Sequence, residues 1–131
     1  MKIKLIAIAA VMAATFSLNS AMANHHMAMA MKVEESAKGK ILTNAHGMSL
    51  YTFDKDASGK SNCYGDCAKK WPPMAATAKS VDEGEFSVIK RTDGSVQWAY
   101  KGKPLYTWFK DKAMGDITGD GVKGVWHLAR P

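Results

Sequence analysis

Histidine and methionine crowd into one stretch of this chain, Asn24-His25-His26-Met27-Ala28-Met29-Ala30-Met31. If proteolysis frees the amine of Asn24, that amine, the amides of His25 and His26, and the His26 imidazole supply four nitrogen donors. A square-planar nitrogen set of this kind suits Cu(II) or Ni(II). Neither His25 nor His26 is a proline, so both amides can ionise. Met27, Met29 and Met31 add soft thioethers, which favour Cu(I). Copper is therefore the cofactor this stretch predicts, and short His-rich tracts are a known metal-binding composition. The prediction depends on the cut, because cleavage after Ala30 would discard both histidines.

A second chemical candidate is Cys63-Tyr-Gly-Asp-Cys67, the only two cysteines of the chain. In an oxidising compartment they default to a disulfide, and Gly65 eases the turn that would bring them together. A redox dithiol or a two-thiolate Cu(I) site are the functional alternatives, although no thioredoxin-like βαβ pattern surrounds the pair. A third candidate, Asp116-Ile-Thr118-Gly119-Asp120-Gly121, matches the first half of a calcium loop. Position twelve is His127 where a bidentate glutamate is required, so a turn is the better reading. No G-x-S-x-G, H-E-x-x-H or P-loop signature occurs, and the reading is of a protein without catalysis.

The elements that would position these residues begin with export. Lys2 and Lys4 precede an uncharged apolar run, Leu5 to Leu18, and a small-residue tail ending Ala21-Met22-Ala23. That is the layout of a secretory signal, and the apolar run is too short to span a bilayer. No cysteine stands near the cut to accept a lipid. The expected organisation is a signal peptide at 1–23, a flexible His/Met-rich tail at 24–38, and a single β domain at 39–131, periplasmic or secreted, with no transmembrane segment after processing. The formal net charge of +6 includes the two signal lysines. The remaining lysines are scattered, whereas a nucleic-acid binder would show a clustered basic stripe. A solvated surface with affinity for anionic envelope material fits better.

The domain repeats itself. Gly39, Gly47, Leu50-Tyr51-Thr52, Lys55, Asp56 and Trp71 recur as Gly94, Gly102, Leu105-Tyr106-Thr107, Lys110, Asp111 and Trp126, at a constant spacing of 55. The two copies run from 39 to 73 and from 94 to 128. Each reads as a β-hairpin or meander. Asp93-Gly94 supplies a tight turn, Val96, Trp98 and Tyr100 alternate with other residues, and a glycine turn leads into the Leu-Tyr-Thr strand. Side chains two apart in a strand share a face. Tyr51 and Phe53 therefore point one way, as do Tyr106 and Trp108, while Leu50 and Thr52 point the other. Asp56 and Asp111 fall just past each strand, where a carboxylate accepts backbone N–H groups in a turn. With Trp71 and Trp126, these residues read either as aromatic core plus turn caps or as the lining of a shared ligand groove. Helix is limited to one short turn at 66–71, capped by Asp66 and stopped by Pro72-Pro73.

At these positions the chain resembles the bacterial secreted-repeat, predicted-lipoprotein family marked by Tyr-x-(Phe/Trp/Tyr)-x-x-Asp. Tyr51-Thr-Phe53-Asp-Lys-Asp56 and Tyr106-Thr-Trp108-Phe-Lys-Asp111 both fit, and Cys63 to Trp71-Pro72-Pro73 and Gly115 to Trp126-His127 follow in order. The resemblance implies an envelope location and a tandem β repeat, and no settled activity. The sequence thus predicts an all-β, two-repeat exported binding protein whose partner is a metal ion or a cell-envelope component. A thiol-redox or copper-delivery protein using Cys63 and Cys67, and a structural or adhesive envelope protein, are the alternatives.

Overall fold

The computed structural model describes residues 31–131. The expected signal segment and its cleavage sites lie outside the described residues, as do Asn24, His25, His26, Met27 and Met29.

The elements in chain order are β1 (Met31–Ser36), β2 (Gly39–Asn44), β3 (Tyr51–Phe53), α1 (Asp66–Lys70), β4 (Phe86–Lys90), β5 (Val96–Tyr100), β6 (Lys103–Pro104), a 3-10 turn (Val122–Gly124) and β7 (Trp126–Leu128). They form three small antiparallel sheets: β1 with β2, β3 with β7, and β4 with β5 and β6. The all-β, two-repeat architecture with one short helix is the one the sequence predicts. Among the described residues no helix is long and apolar enough to cross a membrane.

The repeats are interlocked. β3 of the first repeat pairs with β7 of the second, Tyr51 opposite Leu128 and Phe53 opposite Trp126. The reciprocal bridge joins Tyr106 of the second repeat to Pro73 of the first. At the centre the two tyrosines meet each other: Tyr51 N–H donates to Tyr106 O at 2.8 Å, and Tyr106 N–H donates to Tyr51 O at 3.0 Å. The molecule therefore has an internal pseudo-twofold axis that passes between these two residues. Strand alternation around it sorts the core into two clusters. Tyr51, Tyr106, Trp71, Trp108 and Trp126 pack in one with Ile41, Cys63 and Leu128. Leu50 and Leu105, the residues just before the two tyrosines, pack in the other with Met31, Leu42, Phe86, Trp98 and Ala129. The turn before each Leu-Tyr-Thr segment needs a left-handed residue, and Gly47 and Gly102 supply it at φ +81° and +82°.

Three expectations are corrected. The segment 31–36, read as part of a flexible tail, is β1, which runs alongside β2 over six residue pairs. Its Lys and Glu residues disguise it because β1 is an outer strand, buried at Met31 and largely exposed beyond it. Asp66 does not cap α1. Gly65 occupies that position, and no side chain caps the helix. Finally, the spacing of 55 does not hold throughout. Val33 pairs with Leu42 in the first hairpin and Val88 pairs with Trp98 in the second, so Leu42 corresponds to Trp98, one residue later than constant spacing gives. The second hairpin turn is one residue longer, and the Asn44–Gly47 loop restores the register. In the true alignment the buried triplet Ile41-Leu42-Thr43 superposes on the buried triplet Gln97-Trp98-Ala99.

Candidate functional site

The repeated aromatic residues form one continuous column. Phe53 stacks on Trp126 (centroids 4.1 Å), Trp126 on Trp71 (3.8 Å, planes 3° apart), and Trp71 on Trp108 (3.9 Å). The pseudo-axis runs between the two central indoles, so the order is first, second, first, second repeat. Tyr51 and Tyr106 flank this centre, each standing edge-on to a tryptophan of its own repeat, Trp71 and Trp126. Such stacked and edge-on pairs add about 0.5–1.5 kcal/mol each beyond area burial.

Gly119 makes the column possible. A Cβ there would come within 2.9 Å of both Trp108 and Trp71 and 3.0 Å of Tyr51. The residue is buried, and no side chain fits where the loop crosses the rings.

The motif carboxylates are exchanged. Tyr51 Oη donates to Asp111 Oδ2 at 2.7 Å, and Tyr106 Oη donates to Asp56 Oδ2 at 2.6 Å. Each aspartate turns its other oxygen to the loop beyond it. Asp111 Oδ1 accepts Thr118 N–H and Oγ1–H (3.0 and 2.7 Å), and Asp56 Oδ1 accepts Asn62 N–H (2.7 Å). Gly119 N–H donates to Tyr51 Oη, and Ser61 Oγ shares a hydrogen bond with Tyr106 Oη. The turn-cap reading of Asp56 and Asp111 matches this geometry, and the exchange between repeats is a feature the spacing alone does not reveal.

Burial, with the facing carboxylate, pushes the Tyr51 and Tyr106 hydroxyls well above the ordinary tyrosine range. Burial also raises the Asp56 carboxyl, against the hydrogen bonds from Tyr106 and Asn62. Because both phenols have higher pKa values folded than unfolded, their contribution is intact below the unfolded value of about 10 and is lost as pH climbs past it. Urea midpoints are therefore expected to fall above about pH 10. The double variant Tyr51→Phe/Tyr106→Phe should show a flatter alkaline limb than the parent, and an equally steep limb in both would count against this assignment.

The second repeat replaces the apolar packing of Ile41 with a polar nest. Gln97, fully buried, accepts Arg91 Nη1 at 2.8 Å and donates to Leu105 O at 2.8 Å. Arg91 also donates to Ser61 Oγ and to Cys63 O, and lies over the Tyr64 ring. The sequence reading missed Arg91, which looked like one of the scattered surface charges. The only signal for it is Gln97 opposite Ile41, visible once the register is corrected.

Cys63 and Cys67 are joined in a disulfide, and Cys63 is buried in the aromatic cluster. The loop it closes is short, so its entropic contribution is small. Met31, the one methionine of the His/Met-rich stretch among the described residues, is 5% exposed and packs in the second core cluster. In the calcium-like loop, Asp116 accepts Lys112 and Ala113 N–H, while Asp120 accepts Leu128 N–H and pairs with Lys38 at 2.9 Å. The two carboxylates serve separate turns. Among the described residues no group of three or more His, Cys, Asp or Glu side chains is placed to hold a metal.

One surface feature lay outside the sequence reading. Phe109, directly after the buried Trp108, is 42% exposed. Its N–H donates to Lys70 O, and the Lys110 ammonium lies 5.8 Å from its ring. Lys69 and Lys70 at the end of α1 are exposed, and Lys69 lies 3.9 Å from Asp66.

Taken together, the fold is a tandem, pseudo-twofold β module whose defining residues build a shared aromatic core. A family model described as a secreted repeat of unknown function matches residues 32–75 and 87–130. The chain belongs to this family, and the matches take in all of β1 except Met31 and all of β4 except Phe86. Searches of curated proteins and of solved structures gave no match.

Proposed function

We propose that this chain is a non-catalytic binding protein of the cell envelope that associates with anionic lipid surfaces through Phe109, Lys69, Lys70 and Lys110. The exposed Phe109 ring beside the Lys110 ammonium, with exposed Lys70 joined to it through the backbone, carries the reading. A half-exposed aromatic ring partitions into the headgroup boundary, and each neighbouring lysine adds about 1 kcal/mol near an anionic surface. The motif tyrosines and aspartates support it indirectly, since their hydroxyls and carboxylates hydrogen-bond within the molecule. Association should be weak, reversible and sensitive to salt. Co-sedimentation with phosphatidylglycerol vesicles is expected to exceed that with phosphatidylcholine vesicles, and to be lost in Phe109→Ser/Lys110→Glu. Equal binding to both vesicle types, or full binding by the variant, would overturn the proposal.

Copper capture is a second reading, favoured by the donor chemistry of Asn24-His25-His26 with Met27 and Met29. Protein processed at Ala23 should hold Cu(II) against a weak chelator and release it after His26→Ala.

A further inference from the structure

The aromatic column crosses the molecule between two accessible faces. At one end the exposed Phe109 ring stands edge-on to Trp108, with centroids 5.0 Å apart. At the other, Phe53 lines a surface hollow of about 250 Å³ with Asp54, Ala57 and Lys101. Between them the three indoles are in successive van der Waals contact. Indole and phenol are the side chains most easily oxidised by one electron once thiols are absent, and the two cysteines here are already joined. A buried phenol gives up an electron far more easily if its proton can leave in the same event. Both core tyrosines have that acceptor in place, a carboxylate oxygen at 2.7 Å from Tyr51 and at 2.6 Å from Tyr106. The Thr118 N–H and hydroxyl hold Asp111 by its other oxygen and the Asn62 N–H holds Asp56 by its own, so the acceptor oxygen stays turned to the phenol. Tyr64 and Tyr100, the remaining tyrosines, have no carboxylate partner among the described hydrogen bonds, and the Tyr64 hydroxyl accepts the Thr92 N–H.

We infer that the column is a one-electron conduit ending at two proton-coupled tyrosines, able to discharge an outer-sphere one-electron oxidant that reaches the Trp108 face. One electron leaves an indole for the oxidant. The vacancy moves through Trp108, Trp71 and Trp126 and is filled by Tyr51 or Tyr106. As it is filled, the phenolic O–H bond breaks, an O–H bond forms on Asp111 or Asp56, and a neutral tyrosyl radical remains. An electron from a one-electron donor, with return of the same proton, restores the phenol. The exchanged arrangement gives each tyrosine a tryptophan of its own repeat and a carboxylate of the other, so the conduit exists only in the assembled fold.

Flash-quench oxidation with tris(bipyridyl)ruthenium(III) tests this in a Tyr64→Phe/Tyr100→Phe background, where Tyr51 and Tyr106 are the only tyrosines. Transient absorption should show an indole radical that decays into a tyrosyl radical, more slowly in D2O, with the tyrosyl species confirmed by freeze-quench electron paramagnetic resonance. In Asp56→Asn/Asp111→Asn the tyrosyl signal should be lost and the vacancy should stay on indole. Absence of a tyrosyl radical in the surface background overturns the inference, as does a yield and solvent isotope effect unchanged in the asparagine variant. If the asparagine variant does not fold, the background protein decides alone: a tyrosyl radical without a D2O effect also overturns it.

Discussion

Replacing Trp71 with alanine is expected to lower the unfolding free energy by about 3–5 kcal/mol, the range for removing a buried tryptophan from a packed core. Trp71 is 4% exposed, touches Trp108 and Trp126 face to face, and carries the edge-on ring of Tyr51. The cavity would open at the pseudo-axis, where rings from both repeats meet, and rigid neighbours on each side limit collapse into it. Urea denaturation followed by far-ultraviolet circular dichroism gives the change in midpoint. Near-ultraviolet circular dichroism reports separately on the parallel Trp71–Trp126 pair, whose signal should disappear. A loss below about 1 kcal/mol, typical of surface substitutions, would show that the column is not the structural centre described here.

The second large effect is expected at Asp111. Asp111→Ala removes the acceptor for Tyr51 Oη, Thr118 N–H and Thr118 Oγ1–H together. Hydrogen bonds to a charged group contribute about 1.5–3 kcal/mol each, and buried donors left unpaired cost about 1–3 kcal/mol. These terms overlap, so a loss of about 3 kcal/mol is expected. A double-mutant cycle separates the exchanged pairing from a local one. Tyr51→Phe combined with Asp111→Ala should show a coupling of about 1–3 kcal/mol, whereas Tyr51→Phe with Asp56→Ala should be close to additive. The reverse pattern would mean that each tyrosine serves the aspartate of its own motif. Asp56→Ala has a milder expectation, because Asp56 bears the cost of burial while charged.

The sequence carried the repeat, the strand alternation and the turn role of the aspartates. It carried them because each rests on short-range chemistry: Leu50 and Tyr51 take opposite faces by strand geometry, and Gly47 and Gly102 mark turns by their backbone freedom. The exchange of Tyr51 and Tyr106 between aspartates was not legible, because identical motifs at identical spacing pair equally well in cis and in trans on paper. Nor was β1, whose Lys32, Glu34 and Glu35 are compatible with a solvated strand and with a tail alike. Gly119 resembled the other loop glycines, although its role is close approach to three rings. Arg91 and Gln97 became readable only after a one-residue change of register set Gln97 opposite Ile41. Phe109 was hidden by its neighbour Trp108, since adjacent aromatics on a short strand read as one apolar run.

The interlocking of β3 with β7 also bears on how the chain reaches its native state. Tyr51 finds its strand partner at Leu128 and its hydroxyl partner at Asp111, so the centre of the first repeat closes only after nearly the whole chain is present. Such long sequence separations raise the contact order and slow folding. A chain delivered amino end first, from a ribosome or a translocation channel, would expose Leu50-Tyr51-Thr52-Phe53 as an unpaired edge until its last residues emerge. The β1–β2 hairpin, closed by neighbouring residues, is the piece that can form early and wait.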